Sequence, residues 1–317
     1  MSSATVPLVE VDEVKVTLVM DNTIDALMTS TEVARRFPIG PNPFEHSQPI
    51  AEHGFSALIR VRQGTREGTI LFDTGVSRNG ILHNMDALEI NPADIQAIIL
   101  SHGHADHTMG IPGLVDRLGT RRLPLVLHPD ACLERKMVLP NGSEINLPAP
   151  KIADLRRETI EVIEEVGPSM LVDNRVLVSG EVARTTDFEK GFPIHYAKRR
   201  DRWEPDPFIM DDQCAIIRVR GQGLVIITGC GHSGIINIIR HAQQLTGITT
   251  IYAVIGGFHL TGGLFEPIIP ATIAALQEIK PRYLMPAHCT GWSAMHQIAR
   301  AIPESFIPNS VGTTLVL

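Results

Sequence analysis

Residues 14–20 alternate apolar and polar positions before turning fully apolar, which predicts the first strand. Residues 56–62 and 69–72 carry the same kind of signature on either side of a glycine-containing turn at 63–68, which predicts a hairpin. Asp73-Thr74-Gly75 ends its second strand. A strand is predicted at 93–100, a helix at 108–118 and a strand at 124–128. The middle, 140–211, is less regular: short strands are predicted at 169–172 and 175–179, followed by a polar stretch dotted with Phe188, Phe192, Tyr196, Trp203 and Phe208. Regularity returns with a second hairpin, 215–220 and 223–228, around Gly221-Gln222-Gly223. Helices at 233–245, 267–279 and 292–301 then alternate with strands at 250–255 and 282–286. Each half gives strands first and then strands alternating with helices. That order predicts an α/β fold of two mixed sheets packed face to face with helices outside.

Composition narrows the class. Hydrophobic residues make up 44% of the 317, enough for a sizeable core, and the 20% charged fraction is too low for general disorder. A net charge of −7 argues against a nucleic-acid partner but leaves room for a local basic pocket that binds an anion. Cys132, Cys214, Cys230 and Cys289 lie far apart with no CxxC spacing, so no disulfide framework is expected. No signal-peptide pattern opens the chain and no apolar run reaches membrane-spanning length. The expectation is a cytoplasmic, membrane-free protein, monomer or homodimer. No fixed-period repeat and no Gly- or Ser-rich linker appears, so one domain is expected over 1–317, with an irregular, lid-like insertion at about 183–211.

The densest chemistry is Ser101-His102-Gly103-His104-Ala105-Asp106-His107, directly after the apolar run Ala97-Ile98-Ile99-Leu100. Imidazoles and a carboxylate at this density suit zinc or a related first-row ion. A strand exit can present His102 and His104, and the following turn lets Asp106 and His107 approach a second ion from the side.

This HxHxDH arrangement resembles the metallo-β-lactamase superfamily, whose fold is an αββα sandwich. The resemblance implies His102 and His104 as ligands of a first ion, Asp106 and His107 as ligands of a second, and Asp73 as a brace for the histidine loop. It also implies a last histidine after a late strand, matched by His288 in Leu284-Met285-Pro286-Ala287-His288. The cofactor expected is a pair of divalent ions, zinc first, with manganese or iron as alternatives. Two departures stand out. Where most members carry a Gly-Asp pair, this chain has Gly229-Cys230, and a thiolate is itself a zinc ligand. His232, in Gly231-His232-Ser233-Gly234, is a rival ligand or a catalytic group. The usual third histidine of the first site is missing, because no histidine lies between 129 and 194. Glu181 is a candidate oxygen ligand in its place; otherwise the first site is incomplete or uses His232. His259, after Ile255-Gly256-Gly257-Phe258, is a candidate proton donor or substrate contact.

Several ordered segments narrow the branch: Glu52-His53-Gly54-Phe55-Ser56, Phe72-Asp73-Thr74-Gly75, Ser179-Gly180-Glu181-Val182, Thr228-Gly229-Cys230-Gly231-His232, Ile255-Gly256-Gly257-Phe258-His259 and His288-Cys289-Thr290-Gly291. The set resembles proteins grouped with the dihydropterin-ribofuranosylaminobenzene 5'-phosphate synthases. Such a resemblance implies a hydrolase acting on a phosphorylated or anionic small molecule through a metal-activated water, with Asp106, His232 and His259 in the catalysis. A dihydropterin-dependent transferase and a non-catalytic metal-containing binding protein are the alternatives. Lys198-Arg199-Arg200, with Arg202 and Trp203, is expected to meet the substrate anion from the lid. Asn22 and Thr23 are placed at the pocket rim.

Overall fold

The computed structural model describes residues 5–317 apart from 43–44, 120 and 152–159. Its first sheet has eight strands in the order Ile160–Glu164, Leu123–Leu127, Ala97–Ile99, Arg66–Phe72, Ser56–Gln63, Glu13–Met20, Thr314–Val316 and Ala34–Arg35. Its second sheet runs Ser169–Leu171, Val176–Val178, Cys214–Val219, Gly223–Thr228, Ile251–Gly257 and Tyr283–Ala287, with Glu10–Val11 beside Cys214–Val219.

Strand periodicity decides the layering, since successive side chains point to opposite faces. Val14, Val16, Leu18, Ile59, Ile70 and Phe72 join Val178, Ile217, Val225, Ile227 and Ile255 in one buried cluster between the sheets. The opposite face of the first sheet, with Val19, Leu58, Leu71, Ile98 and Leu125, packs with helices Arg78–Ala87 and Ile111–Leu118 through Ile81, Met85 and Leu114. The outer face of the second sheet, with Ile216, Ile226, Val254 and Leu284, packs with helices Ile235–Thr246, Ile269–Ile279 and Trp292–Ala301. Four layers result, helix, sheet, sheet, helix, as the strand and helix order predicts. Each fully buried Leu or Ile contributes about 1.5–3 kcal/mol to holding them together.

The site is positioned by parallel pairing. Arg66–Phe72, Ala97–Ile99 and Leu123–Leu127 run parallel in the first sheet; Gly223–Thr228, Ile251–Gly257 and Tyr283–Ala287 run parallel in the second. Asp73, the His102 loop, Cys230, His259 and His288 all follow carboxyl ends of these strands, where open α/β sheets gather ligands.

Several elements differ from the sequence expectation. Helix Arg78–Ala87 has a weak apolar stripe, and its start is set by Ser77, whose Oγ accepts from Gly80 N at 2.9 Å. The helix expected at 108–118 is two, Ala105–Thr108 and Ile111–Leu118. They part at Gly110, where a Cβ would lie 2.0 Å from the Thr74 carbonyl oxygen. Of 93–100 only Ala97–Ile99 is strand, after a short 3-10 turn at Pro92–Asp94. The irregular middle holds a third, four-stranded sheet of Arg202–Pro205, His195–Arg199, Arg135–Val138 and Glu144–Leu147. Strand Thr314–Val316, absent from the sequence reading, pairs with Glu13–Met20. None of the four cysteines is in a disulfide. Among the described residues no helix is long and apolar enough to cross a membrane.

Candidate metal centre

Asp73, directly after its strand, takes φ 57°, a left-handed backbone that non-glycine residues seldom adopt. Fully buried, it accepts from Ser101 N and Ser101 Oγ, both at 2.7 Å, and from His107 Nδ1 at 2.7 Å. Ser101 Oγ spends its hydrogen on Asp73, so it accepts from His102 Nδ1 at 2.9 Å. His288 Nδ1 donates to Asn22 Oδ1 at 3.0 Å, and the Asn22 amide donates back to the His288 carbonyl at 3.2 Å. His195 Nδ1 donates to the Asp206 carbonyl at 3.2 Å, so its Nε2 accepts from His104 Nε2 at 3.0 Å. Four imidazoles therefore have one nitrogen tied to a protein acceptor and the other turned inward. Metal-ligating histidines are held in this way.

The inward atoms form two pockets. His102, His104 and His232 converge with their donor atoms within 4.8 Å of one another. His104 Nδ1 and His232 Nε2 are 3.1 Å apart, close to the ~3.3 Å edge of a tetrahedron built on zinc–nitrogen bonds. His102 Nε2 is buried with no hydrogen-bond partner among the described residues. Asp106, His107, Cys230 and His288 form the second group. Here His107 Nε2 is 3.2 Å from Cys230 Sγ, and Asp106 Oδ2 is 3.1 Å from His288 Nε2 and 3.6 Å from His107 Nε2. These donors fit a divalent pair: buried, convergent and otherwise short of partners. The halves can meet because residue 229 is glycine; a Cβ there would lie 2.1 Å from Ser101 Oγ and 2.7 Å from Asp73 Oδ2.

Electrostatics separates the pockets. Burial and neighbouring histidines push His102, His104 and His232 well below the ordinary imidazole range. They are neutral at pH 7, which is the ligating form. Burial alone would do the same to His107, but Asp106 and Asp73 outweigh it and raise His107 to about 9. Burial opposes ionisation of Asp106 as well, and is overcome by His107 and His288, which hold the carboxyl far below its usual range. Burial, helped by Cys289, drives the Cys230 thiol up. A cation reverses that effect.

The candidate residues divide as follows. His102, His104, Asp106, His107, Cys230, His232 and His288 come together in the two pockets. His259 stands beside them with ring centroids 4.2 Å from His232. Glu181 lies apart from the two groups: its Oε1 meets His128 Nε2 at 3.2 Å. The basic segment is also elsewhere. Arg199 pairs with Asp130 at 2.7 Å, Arg200 and Arg202 are exposed on the turn of the small sheet, and Trp203 covers the Lys136 ammonium, 4.6 Å from its ring centroid. None of these four lines the cavity next to the centre. That cavity, of about 590 Å³, is walled by His232, His259, Leu260, Leu264 and Phe265, with Lys190 as its cation and Asp187 and Glu189 as its carboxylates. A larger one of about 660 Å³, with Arg35, Arg36 and Arg60, shares no residue with the centre.

Sequence reasoning missed three contributors. His195 reaches His104 from 91 residues away, and no local spacing marks it. Its support is a buried network: Arg135 Nε bonds Asp206 at 3.2 Å, its Nη1 bonds Asp211 at 3.1 Å, and Asp211 accepts from Gly103 N at 2.8 Å. His53, with its side chain 74% exposed, stands 3.8 Å from Asp106 at the mouth. Cys289 follows His288 and joins Cys230 and His259.

The family model of the metallo-beta-lactamase superfamily matches residues 50–243. The chain is 31% identical over 264 residues to the 7,8-dihydropterin-6-methyl-4-(beta-D-ribofuranosyl)-aminobenzene-5'-phosphate synthase of Methanocaldococcus jannaschii, covering 81% of this chain and 87% of that relative. Among solved structures, Tm1679, a metal-dependent hydrolase of the beta-lactamase superfamily, superposes with a TM-score of 0.72 at 23% identity, covering 95% of this chain and 98% of that one. The metallo-beta-lactamase fold protein YhfI from Bacillus subtilis gives 0.51 at 12% identity over 96% of this chain and 100% of its own.

Proposed function

Because the chain belongs to the metallo-β-lactamase superfamily, we propose that it is a metal-dependent hydrolase cleaving an anionic small molecule with an apolar, ring-bearing body. The observation that carries this reading is the outer clamp on His102, His104, His107 and His288, which leaves four inward nitrogens for a cation pair. When bound, a divalent pair supplies Lewis acidity, bringing the pKa of water down to about 7 and offsetting negative charge in the transition state.

The chain's own residues supply the rest. Ser101, His195, Asp73 and Asn22 hold the imidazoles with their second nitrogen turned inward. Asp106, its side chain 22% exposed, offers Oδ2 to the second pocket, and the exposed His53 Nε2, 3.8 Å from it, opens that side of the centre to solvent. Leu260, Leu264 and Phe265 take the apolar body of the substrate, and Lys190 meets an anionic group at the rim.

A transferase joining a dihydropterin to an aromatic amine is the second reading, favoured by the identity to the synthase. Product analysis on the zinc- or manganese-loaded protein with a dihydropterin diphosphate separates the two. Diphosphate release without any amine is the expected result. Release that requires the amine and yields a carbon–nitrogen product would overturn the hydrolase reading in favour of transfer.

A further inference from the structure

Cys230 belongs to two groups of donors. One contains Asp106, His107 and His288; the other contains His259 and Cys289, again with all donor atoms within 4.8 Å of one another. Glycine brings this second group together. A Cβ on Gly257 would lie 2.7 Å from Cys289 Sγ and 3.1 Å from Cys230 Cα, so only a bare backbone lets the two cysteines close over it. Cys289 Sγ then donates to the Cys230 carbonyl at 3.3 Å.

His259 is the third member and is the least explained by packing. Its backbone is held at φ 44°, a conformation that costs a non-glycine residue free energy. Its Nδ1 is buried with no hydrogen-bond partner among the described residues. An unpaired buried imidazole nitrogen is unfavourable, and the same ring lies within reach of two buried thiols.

We propose that Cys230, His259 and Cys289 hold a further thiophilic divalent cation of the zinc class, with the Cys230 sulfur shared between this position and the Asp106–His107–His288 pocket. Two sulfurs and an imidazole select zinc-like ions and disfavour magnesium or calcium, which demand oxygen ligands. The Cys289 thiolate and a share of the Cys230 thiolate offset much of a divalent ion's charge, which a buried position needs. Of the three donors, His259 lines the 590 Å³ cavity. The inference is independent of whether the enzyme hydrolyses or transfers.

Cobalt(II), a spectroscopic stand-in for zinc, tests the assignment, read beside metal counts on the zinc-loaded full chain. Cys289→Ser should lose one ion per chain, together with about two thirds of the thiolate-to-cobalt charge-transfer absorption, since that ion makes two of the three sulfur–cobalt contacts. His259→Gln keeps both thiols and leaves the neighbour of His288 intact; it should lose the same ion, and it carries the test if Cys289→Ser fails to fold. Metal counts and charge-transfer intensity unchanged in both variants would overturn the proposal, whatever the activity assays return.

Discussion

The imidazole triad and the mixed pocket stand side by side and share the histidine loop, yet they differ in charge. His102, His104 and His232 are neutral donors, so a divalent ion among them keeps its full charge. Asp106 brings an anionic donor to the second pocket and Cys230 a thiol that a cation would ionise, while His107 already carries a proton at neutral pH. An ion in the triad is the stronger electrophile. One in the mixed pocket is better neutralised but must displace protons from His107 and Cys230 to enter. Adjacent positions built from nearly the same residue types can thus be tuned apart by which carboxylates reach them.

The sharpest way to break this contrast is to empty the triad alone. His104→Ala should cut turnover on the order of 10⁴-fold, since losing the ion returns its water toward bulk acidity; metal analysis should show the mixed pocket still loaded. Equal loss from both pockets would mean that the two are a single cooperative unit.

Next comes pH, read as the stability of the metal-free protein by denaturant unfolding. The triad's folded-state values lie below the unfolded value near 6.5. Acid below pH 6.5 therefore protonates the unfolded chain first and destabilises the fold. His102 and His232 are buried and His104 is partly open, so the slope is at most about 4 kcal/mol per pH unit for the three. His107 works in the opposite sense. Its folded value is about 9, so its contribution is full below 6.5 and is lost as pH rises to 9, by about 1.4 kcal/mol per unit. Stability should peak near pH 6.5, and a flat profile from 5 to 9 would remove the charge contrast.

The smallest effect is expected at His195, which touches the triad only through His104 Nε2. His195→Ala should weaken metal binding at the triad about 10- to 100-fold and leave the mixed pocket's affinity unchanged, as competition with a chelating dye would read. His195→Gln, whose amide oxygen can accept from His104, should recover part of it.

How far the sequence reaches differs between the two halves of the site. The histidine loop is legible because its four side chains sit within six residues after one strand. Cys230, His232, His259 and His288 stand alone or in pairs at the ends of separate parallel strands, so each is ambiguous when read singly. That is why Glu181 could be offered as a ligand: it follows a strand at a plausible place in the chain, but its carboxylate turns to His128. The arginine-rich segment shows the same limit: none of Arg199, Arg200, Arg202 and Trp203 lines the cavity beside the centre. Charge density was visible, but the small sheet that carries it onto Asp130 and away from the cavity was not.

By itself the sequence determined the layered fold and marked the histidine loop as a candidate metal site, because hydrophobic periodicity and the spacing within Ser101–His107 are local properties. Tertiary structure alone decided which distant residues complete each pocket. His232 reaches His104, His195 braces it from behind, and Cys289 closes on Cys230 because parallel strands deliver their carboxyl ends to one edge and glycines 229 and 257 let the backbones meet there. Those contacts depend on strand order and register between the sheets. Chain spacing does not encode either one at any single position.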